Sequence, residues 1–431
     1  MSSIVILVLI IVVMFLLLLG GVWVFCALGV AGALGIFLFG ADWESALSLG
    51  IWGSANRFML TAIPLFIFMG EIMLRSGISK SLYDGVTTWV GQLPGGLLHT
   101  NVASCALFAA ISGSSVATAA TMGTVAIPDQ KARGYDENLT LGSLVASGTL
   151  GILIPPSISM IIYGAWMECS IAQLFAGGII PGIIISLTFM LYIGIRCSLQ
   201  PGLASRTTFS WKERLLSVRD MWPGILLIVF ILSAIFAGLM TPTETAAVAA
   251  TTALVLSMIL RRFSLRLLYD SALNTIHSTT MILIIYVSAK ILVMSLMYLG
   301  VVAAIPKLME SLGLSPLLIL LAIYVIYLIL GCFFDGISLL MVTLPFVLPL
   351  LLYMGTDLIW FGVVVTVLVE IGLITPPVGM NLYVIMSVSG CSLSKVTKSI
   401  FPFFCILLIA VALLTVFPQL ALWLPRILLG S

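Results

Sequence analysis

Two stretches of this chain place helix-breaking residues inside sequence that is otherwise apolar enough to run straight through a membrane. Gly148-Thr149-Leu150-Gly151 is followed by Pro155-Pro156, and Gly372 is followed by Thr375-Pro376-Pro377. Proline lacks an N–H and crowds the turn before it, so each pair interrupts its helix and frees carbonyl oxygens. At membrane depth such backbone persists only where protein or a watery cavity surrounds it. Free carbonyls suit Na⁺, and the N-terminus of a half-helix suits an anion. A proline kink without a ligand is the plainer reading of either motif; the recurrence of the motif favours the binding one.

Two further segments supply oxygen at a turn. The first, centred on Ser112-Gly113-Ser114-Ser115-Val116-Ala117-Thr118, offers hydroxyls without a buried charge, or else small-residue helix packing. The second, Gly331-Cys332-Phe333-Phe334-Asp335-Gly336-Ile337-Ser338, sets a carboxylate in an apolar run. An intramembrane acid is costly and marks a functional position by default. Asp335 can coordinate Na⁺, carry a proton or cap a helix. The expectation is two Na⁺ sites: one from Ser112 and Ser114 with carbonyls around Gly148, Gly151 and Pro155, the other from Gly331, Asp335, Gly336 and Ser338 with Gly372, Thr375 and Pro377.

Other charges say less. Glu71 and Arg75 have the spacing of a helix pair, and Glu244 in Thr241-Pro242-Thr243-Glu244 fits a helix start. Glu370 precedes the second break and invites a mutation test. Lys290, inside a crossing, is expected to pair with an acid or to snorkel, and Glu168 reads as a periplasmic surface acid. His99 and His277 are isolated and receive no role.

These motifs need a membrane-spanning frame. The 431 residues are 61% hydrophobic and 8% charged, with mean hydropathy +1.27, too little charge to cover a soluble protein of this size. A net charge of +2 with no basic run longer than Arg261-Arg262 gives no sign of nucleic-acid binding. Seven cysteines form no CxxC pair, so neither a metal knuckle nor a disulfide framework is indicated. Residues 4–19 lack a basic n-region and are expected to stay as a first span rather than be removed as a signal peptide.

Crossings of about 20 apolar residues are predicted at 3–19, 22–40, 58–74, 138–167, 178–198, 222–240, 243–260, 277–299, 358–388 and 401–424. Re-entrant hairpins are predicted at 94–127 and 315–348, and interfacial arms at 42–56 and 263–276. Arg196, Arg206, Lys212, Arg214 and Arg219 make the loop 200–221 cytoplasmic. The same orientation puts Lys131, Arg133, Arg261, Arg262, Arg266, Lys395 and Lys398 inside and both termini outside, in the periplasm.

The halves repeat. A single ungapped offset of 221 residues carries Pro155-Pro156 onto Pro376-Pro377, and it also superposes Pro128 on Pro349, Gly134 on Gly355, Asp136 on Asp357 and Pro181 on Pro402. The basic residues change loops between halves: Lys131 and Arg133 match Leu352 and Met354, whereas Lys395 and Lys398 match Leu174 and Gly177. That is the pattern of inverted topology, with residues 1–199 as one repeat, 200–221 as the connecting loop and 222–431 as the other. The predicted fold is an all-α polytopic membrane protein of two inverted-topology repeats, with re-entrant helical hairpins and discontinuous helices. Such architecture binds its cargo near the bilayer midplane. The hairpins and broken helices, 94–167 and 315–388, are expected to move together in an elevator motion against a scaffold that includes 22–40, 243–260 and the arms.

Five segments carry a resemblance: Pro64–Glu71, Ala110–Gly123, Gly148–Ser157, Thr241–Glu244 and Glu370–Asn381. Together they closely resemble the large (DctM-like) membrane subunit of tripartite ATP-independent periplasmic (TRAP) transporters, over essentially the whole chain. The resemblance implies an elevator-type, Na⁺-coupled secondary transporter in the bacterial inner membrane, using two or more Na⁺ ions. It also implies a small membrane subunit, a periplasmic substrate-binding protein and a carboxylate cargo such as a C4-dicarboxylate or sialic acid. Cargo contacts are expected at Ser114, Ser115, Thr118, Ser157 and Asn381. No stretch resembles a fused small subunit, so that subunit is expected on a separate chain. A stand-alone elevator carrier is the nearest alternative. A membrane enzyme is disfavoured by the lack of clustered acid–base or metal-ligating side chains, and a channel by the lack of charge rings.

Overall fold

The computed structural model describes residues 3–39, 43–205 and 208–430; Arg206, one of the orienting residues, and Asp42, at the start of the first predicted arm, lie outside them. The described residues form helices and no strands. In chain order the first half contains α1 (Ser3–Leu19), α2 (Val24–Phe39), α3 (Trp43–Ala55), α4 (Ala62–Arg75), α5 (Ile78–Val90), α6 (Leu97–Ser112), α7 (Ser115–Ala132), α8 (Glu137–Thr149), α9 (Ile158–Met167) and α10 (Ile171–Leu199). The second half contains α11 (Trp211–Phe236), α12 (Pro242–Ile259), α13 (Leu265–Tyr298), α14 (Val301–Leu312), α15 (Pro316–Gly331), α16 (Gly336–Tyr353), α17 (Leu358–Leu373), α18 (Met380–Ser389), α19 (Leu393–Val416) and α20 (Gln419–Leu429).

Local sequence explains where these helices start. Thr241 and Glu244 form a capping box with Pro242 in the first turn of α12, and Ser210 with Glu213 does the same for α11. Asp136 and Asp357, one repeat apart, accept hydrogen bonds from the first turns of α8 and α17. Seven helices among the described residues are long and apolar enough to cross a membrane. On α10, Ile183, Leu187, Leu191 and Ile195 are all more than half exposed at four-residue spacing. Such a continuous apolar stripe is suited to lipid rather than water.

The 221-residue repeat reappears in three dimensions. Helices α7 and α16 begin and end at equivalent positions, α8 and α17 begin at equivalent positions, and α9 and α18 are one residue out of step. Both Pro-Pro bonds are cis. The two broken helices run in opposite directions. Glu137, at the start of α8, pairs with Lys395 beyond the end of α18. Tyr163, near the end of α9, donates to the Leu358 carbonyl at the start of α17 over 2.7 Å. The two hairpins, α6–α7 and α15–α16, and the two discontinuous helices, α8–α9 and α17–α18, are therefore arranged as inverted repeats.

Several boundaries differ from the sequence reading. The second arm and the crossing after it are one helix, α13, whose 34 residues span about 51 Å, because no glycine or proline interrupts them. Its counterpart in the first half is divided between α3 and α4, with Asn56 and Arg57 at the break. The segment read as the loop 200–221 is helical from Trp211 onward. The last predicted crossing, 401–424, breaks at Phe417-Pro418, between α19 and α20. Two short helices, α5 and α14, occupy equivalent places and were not anticipated.

Packing separates two groups. The hairpins and broken helices pack on one another and on α10, α19 and α20; α7, for example, lies against both α8 and α18. Around them, α13 runs along α2, α3 and α4, α12 lies on α4, and α11 lies on α5. The inner group is thus larger than the blocks 94–167 and 315–388, since α10 and α19 belong with it.

Candidate functional site

Each hairpin tip rests on the break of its own repeat. Gly113 turns the chain with φ +59°, a conformation that costs glycine least, and Ser114 then caps α7 by accepting from the Ala117 N–H at 3.4 Å. A Cβ on Gly151 would meet the Ser114 carbonyl oxygen at 2.5 Å, so the tip closes directly onto backbone. In the other half a Cβ on Gly331 would meet the Cα of Gly372 at 2.8 Å. Gly151 and Gly372 are repeat equivalents. Asp335 caps α16, its Oδ2 accepting from Ile337 N–H at 3.1 Å and Ser338 N–H at 3.2 Å.

Between the two tips and the scaffold lies a cavity of about 560 Å³. Ser112 to Ala117 line it from the first tip, and Phe333 with Asp335 to Ile337 from the second. The opposite wall is α4, through Ile67, Gly70, Glu71 and Leu74, and α13, through Ser278, Met281, Ile282 and Ile285. These wall positions occupy the part of α4 and α13 nearest the ion pairs of Arg75 with Glu71 (3.0 Å) and Asp270 (3.5 Å). Asn274 also donates to Glu71, at 3.2 Å. Glu71 is thus both the expected helix partner of Arg75 and a cavity residue.

The residues expected to bind ligands divide into two sets. Ser112, Ser114, Ser115, Asp335 and Gly336 line the cavity. Thr118 is buried behind it, donating to the Ser114 carbonyl at 2.8 Å. Ser157 is fully buried, caps α9 by accepting from Met160 N–H and donates to the Ile152 carbonyl at 2.5 Å. Asn381 is also buried and donates to Ser115 Oγ at 2.7 Å, which joins α18 of one repeat to the first tip of the other. Thr375 donates to the Ile371 carbonyl at 2.5 Å, and the Pro377 carbonyl accepts from Tyr383 at 3.1 Å. Gly148 packs against Ala119. Pro155 is buried at the first break.

The oxygen donors at the tips fit a hard monovalent cation. Ser338 Oγ, 1% exposed, and Asn381 Oδ1, in a fully buried residue, have no hydrogen-bond partner among the described residues. Buried polar atoms are rarely left unpaired, so these have coordination capacity to spare. No cluster of three His, Cys, Asp or Glu side chains able to hold a metal occurs among the described residues. Glu370 is fully buried in α17, and neither of its carboxyl oxygens has a hydrogen-bond partner among the described residues.

A second polar cluster sits at the other end of the scaffold wall, and sequence reading found only parts of it. Arg57 pairs with Glu168 at 2.7 Å and donates to the Ala165 carbonyl at 3.2 Å, near the end of α9. The guanidinium holds the Glu168 carboxyl below the usual carboxylate range. Tyr286 donates to the same carbonyl at 3.3 Å. Among the described residues Lys290 forms no ion pair with an acid; its ammonium lies over the Trp166 ring, 4.0 Å from the centroid. Arg57, Trp166 and Tyr286 carried no spacing signal. Glu244 takes its expected role at the start of α12, accepting from Thr241 N–H at 2.8 Å, and Glu168 is a largely exposed acid.

The comparisons agree with this architecture. Residues 11–420 match the family described as "Tripartite ATP-independent periplasmic transporter, DctM component". The C4-dicarboxylate TRAP transporter large permease protein DctM of Pseudomonas aeruginosa is 36% identical over 401 residues, covering 93% of this chain and 94% of that protein. The sialic acid TRAP transporter large permease protein SiaM of Vibrio cholerae is 31% identical, covering 88% of each chain. Among solved structures, the YdaH transporter of Alcanivorax borkumensis shares the fold, with a TM-score of 0.64 at 14% identity over 88% of this chain and 87% of that one. A family match across nearly the whole sequence, on a frame of inverted hairpins and broken helices, makes this chain a member of the DctM family of TRAP transporter membrane components.

Proposed function

We propose that this chain is the Na⁺-coupled carrier subunit of a TRAP system in the bacterial inner membrane, with both termini periplasmic. In this reading it works with a small membrane subunit and receives a carboxylate from a periplasmic binding protein. The observation that carries the reading is the cavity, which is formed where the two hairpin tips of the inner group meet α4 and α13 of the outer group. A site on such a seam changes its exposure when one group slides past the other, while the broken backbone stays covered by protein. The relatives' names place a C4-dicarboxylate or a sialic acid among the cargoes handled by similar chains.

Na⁺ would be held by the tip hydroxyls, Asp335 and the carbonyls at the two breaks. Inward Na⁺ movement at 100 mV supplies ~2.3 kcal/mol per net charge, before any concentration gradient. The test is uptake into liposomes containing the complete system, with imposed gradients. Replacing external Na⁺ by choline at fixed potential and pH should abolish uptake, and undiminished uptake in choline would remove sodium coupling.

A further inference from the structure

The two hairpin tips share one plan but differ in the charge of the cap. At the first tip the cap is a neutral hydroxyl, Ser114, which takes up the Ala117 N–H, while the Ser114 carbonyl accepts from Thr118. The N–H groups of Ser115 and Val116, both on the cavity wall, have no intrahelical acceptor, as at any helix start. At the second tip the equivalent residue is Asp335, whose carboxylate already takes up two of the free N–H groups of α16. One helix N-terminus therefore remains open to an anion, and the other carries its own.

The rest of the wall has the same bias. Among the described residues no Lys or Arg lines the cavity, and its two ionisable side chains, Glu71 and Asp335, are both acids. Arg75 answers the charge of Glu71 and pairs with Asp270 as well, and Lys290 lies over Trp166, so Asp335 is the wall acid without an ion-pair partner among the described residues. Most of the remaining surface is apolar, including Phe108, Ile158, Met281, Ile285, Phe333 and Leu373.

We propose that the cargo is a monocarboxylate with an apolar body, its carboxylate held at the first tip by the Ser115 and Val116 N–H groups and the hydroxyls of Ser114 and Ser115. This rests on the carrier reading above and narrows its substrate class. A dicarboxylate would bring its second charge either against Asp335, where like charges oppose each other, or onto apolar wall with nothing to pair it. A cation bound at Asp335 answers the charge of Asp335 itself and leaves none for a second cargo carboxylate. The many hydroxyls of a sialic acid would find few partners beyond Ser112, Ser159 and Ser278 and would lose water against Phe, Ile and Met side chains. An aliphatic chain gains from the same wall, at about 25 cal/mol per Å² removed from water.

The test uses the purified membrane complex, this chain with its small subunit, and reads thermal stabilisation in saturating Na⁺. The probes are 4-methyl-2-oxopentanoate, its amino counterpart leucine, succinate and N-acetylneuraminate. The oxo acid should raise Tm at concentrations roughly tenfold or more below those the other three require. Equal or better stabilisation by any of the other three, or no response to the oxo acid, overturns the assignment. The variant Ser114→Asp keeps a capping side chain but gives both tips a carboxylate. It should weaken oxo-acid binding by about tenfold or more, while the variant still purifies as a complex with the small subunit; unchanged acid binding in this variant also overturns the proposal. Liposome uptake separates the two levels of failure. Na⁺-driven succinate uptake would leave the carrier standing without this cargo, whereas no Na⁺-driven uptake of any acid would remove the carrier reading itself.

Discussion

At the residue scale, Asp335 has a structural duty that is visible and a cation-binding one that is proposed. Its Oδ2 closes the start of α16, as Ser114 does for α7, and a cap of this kind stabilises by ~1 kcal/mol. Asparagine caps about as well, so Asp335→Asn should fold, and its Tm should stay close to that of the parent. If the carboxylate also binds Na⁺, the variant should need roughly tenfold more Na⁺ for half-maximal uptake, the equivalent of about 1.4 kcal/mol. A well-folded variant with unchanged Na⁺ dependence would reduce Asp335 to a cap. The sequence disclosed both tips, because Ser-Gly-Ser and Phe-Asp-Gly are conspicuous inside apolar runs. It did not disclose which hydroxyls face the cavity. Ser157 and Thr118 have the right chemistry near the right motifs, but one caps α9 and the other ties the first tip together from behind. Side-chain direction at a break depends on packing, which residue type and spacing do not encode.

At the element scale, α4 and α13 carry two features toward opposite ends: the cavity toward Arg75 and Asp270, and the cluster of Arg57, Glu168, Lys290 and Trp166 away from them. That cluster ties the end of α9, in the inner group, to the outer wall. The Arg57–Glu168 pair, with Glu168 68% exposed, contributes at most ~1 kcal/mol. Lys290 over Trp166 contributes ~0.5–2 kcal/mol. In the proposed orientation both hold the inward-facing arrangement, so Lys290→Met should shift the population outward by up to about tenfold. The measurement is the labelling rate of Ser278→Cys, on the cavity wall, by a membrane-impermeant maleimide applied to each side of oriented vesicles, in a background without the native cysteines. Cytoplasmic labelling should slow severalfold and periplasmic labelling should quicken; unchanged rates would show that the cluster does not set the balance. This arrangement was hidden from sequence reading because hydropathy assigned the polar start of α13 to a separate arm. Asn274 and His277 lower the hydropathy there without breaking the helix. A proline would have marked an end there, as Pro418 does between α19 and α20.

At the scale of the whole molecule, the inverted repeat was legible because the helix breakers themselves repeat, whereas the division into two packed groups was only partly so. Helices α10 and α19 read as ordinary outer spans, yet they pack against the broken helices. An elevator motion requires this enlarged inner group to slide as one body along α4 and α13, and that requirement can be tested where the groups touch. Gly70 on α4 lies against the first hairpin: a Cβ there would be 3.3 Å from the Ile111 carbonyl oxygen and 3.4 Å from the Ser112 Cα. Cysteines at 70 and 112 are therefore within disulfide reach in the present arrangement. All seven native cysteines are free and can be replaced first. Gly70→Cys and Ser112→Cys alone should each retain measurable uptake, which separates damage to the site from the effect of the cross-link. The oxidised double variant should lose uptake, and reduction should return it to the level of the weaker single variant. A second pair, joining the same hairpin position to a residue about two or more turns along α4 toward Arg57, should cross-link only in the other state, since a helix advances ~5.4 Å per turn. Such a bond should also stop uptake until reduced. Full uptake with the first hairpin covalently held to α4 would exclude sliding of the inner group, and a cross-link that never forms at the second depth would confine the hairpin to the position it occupies here.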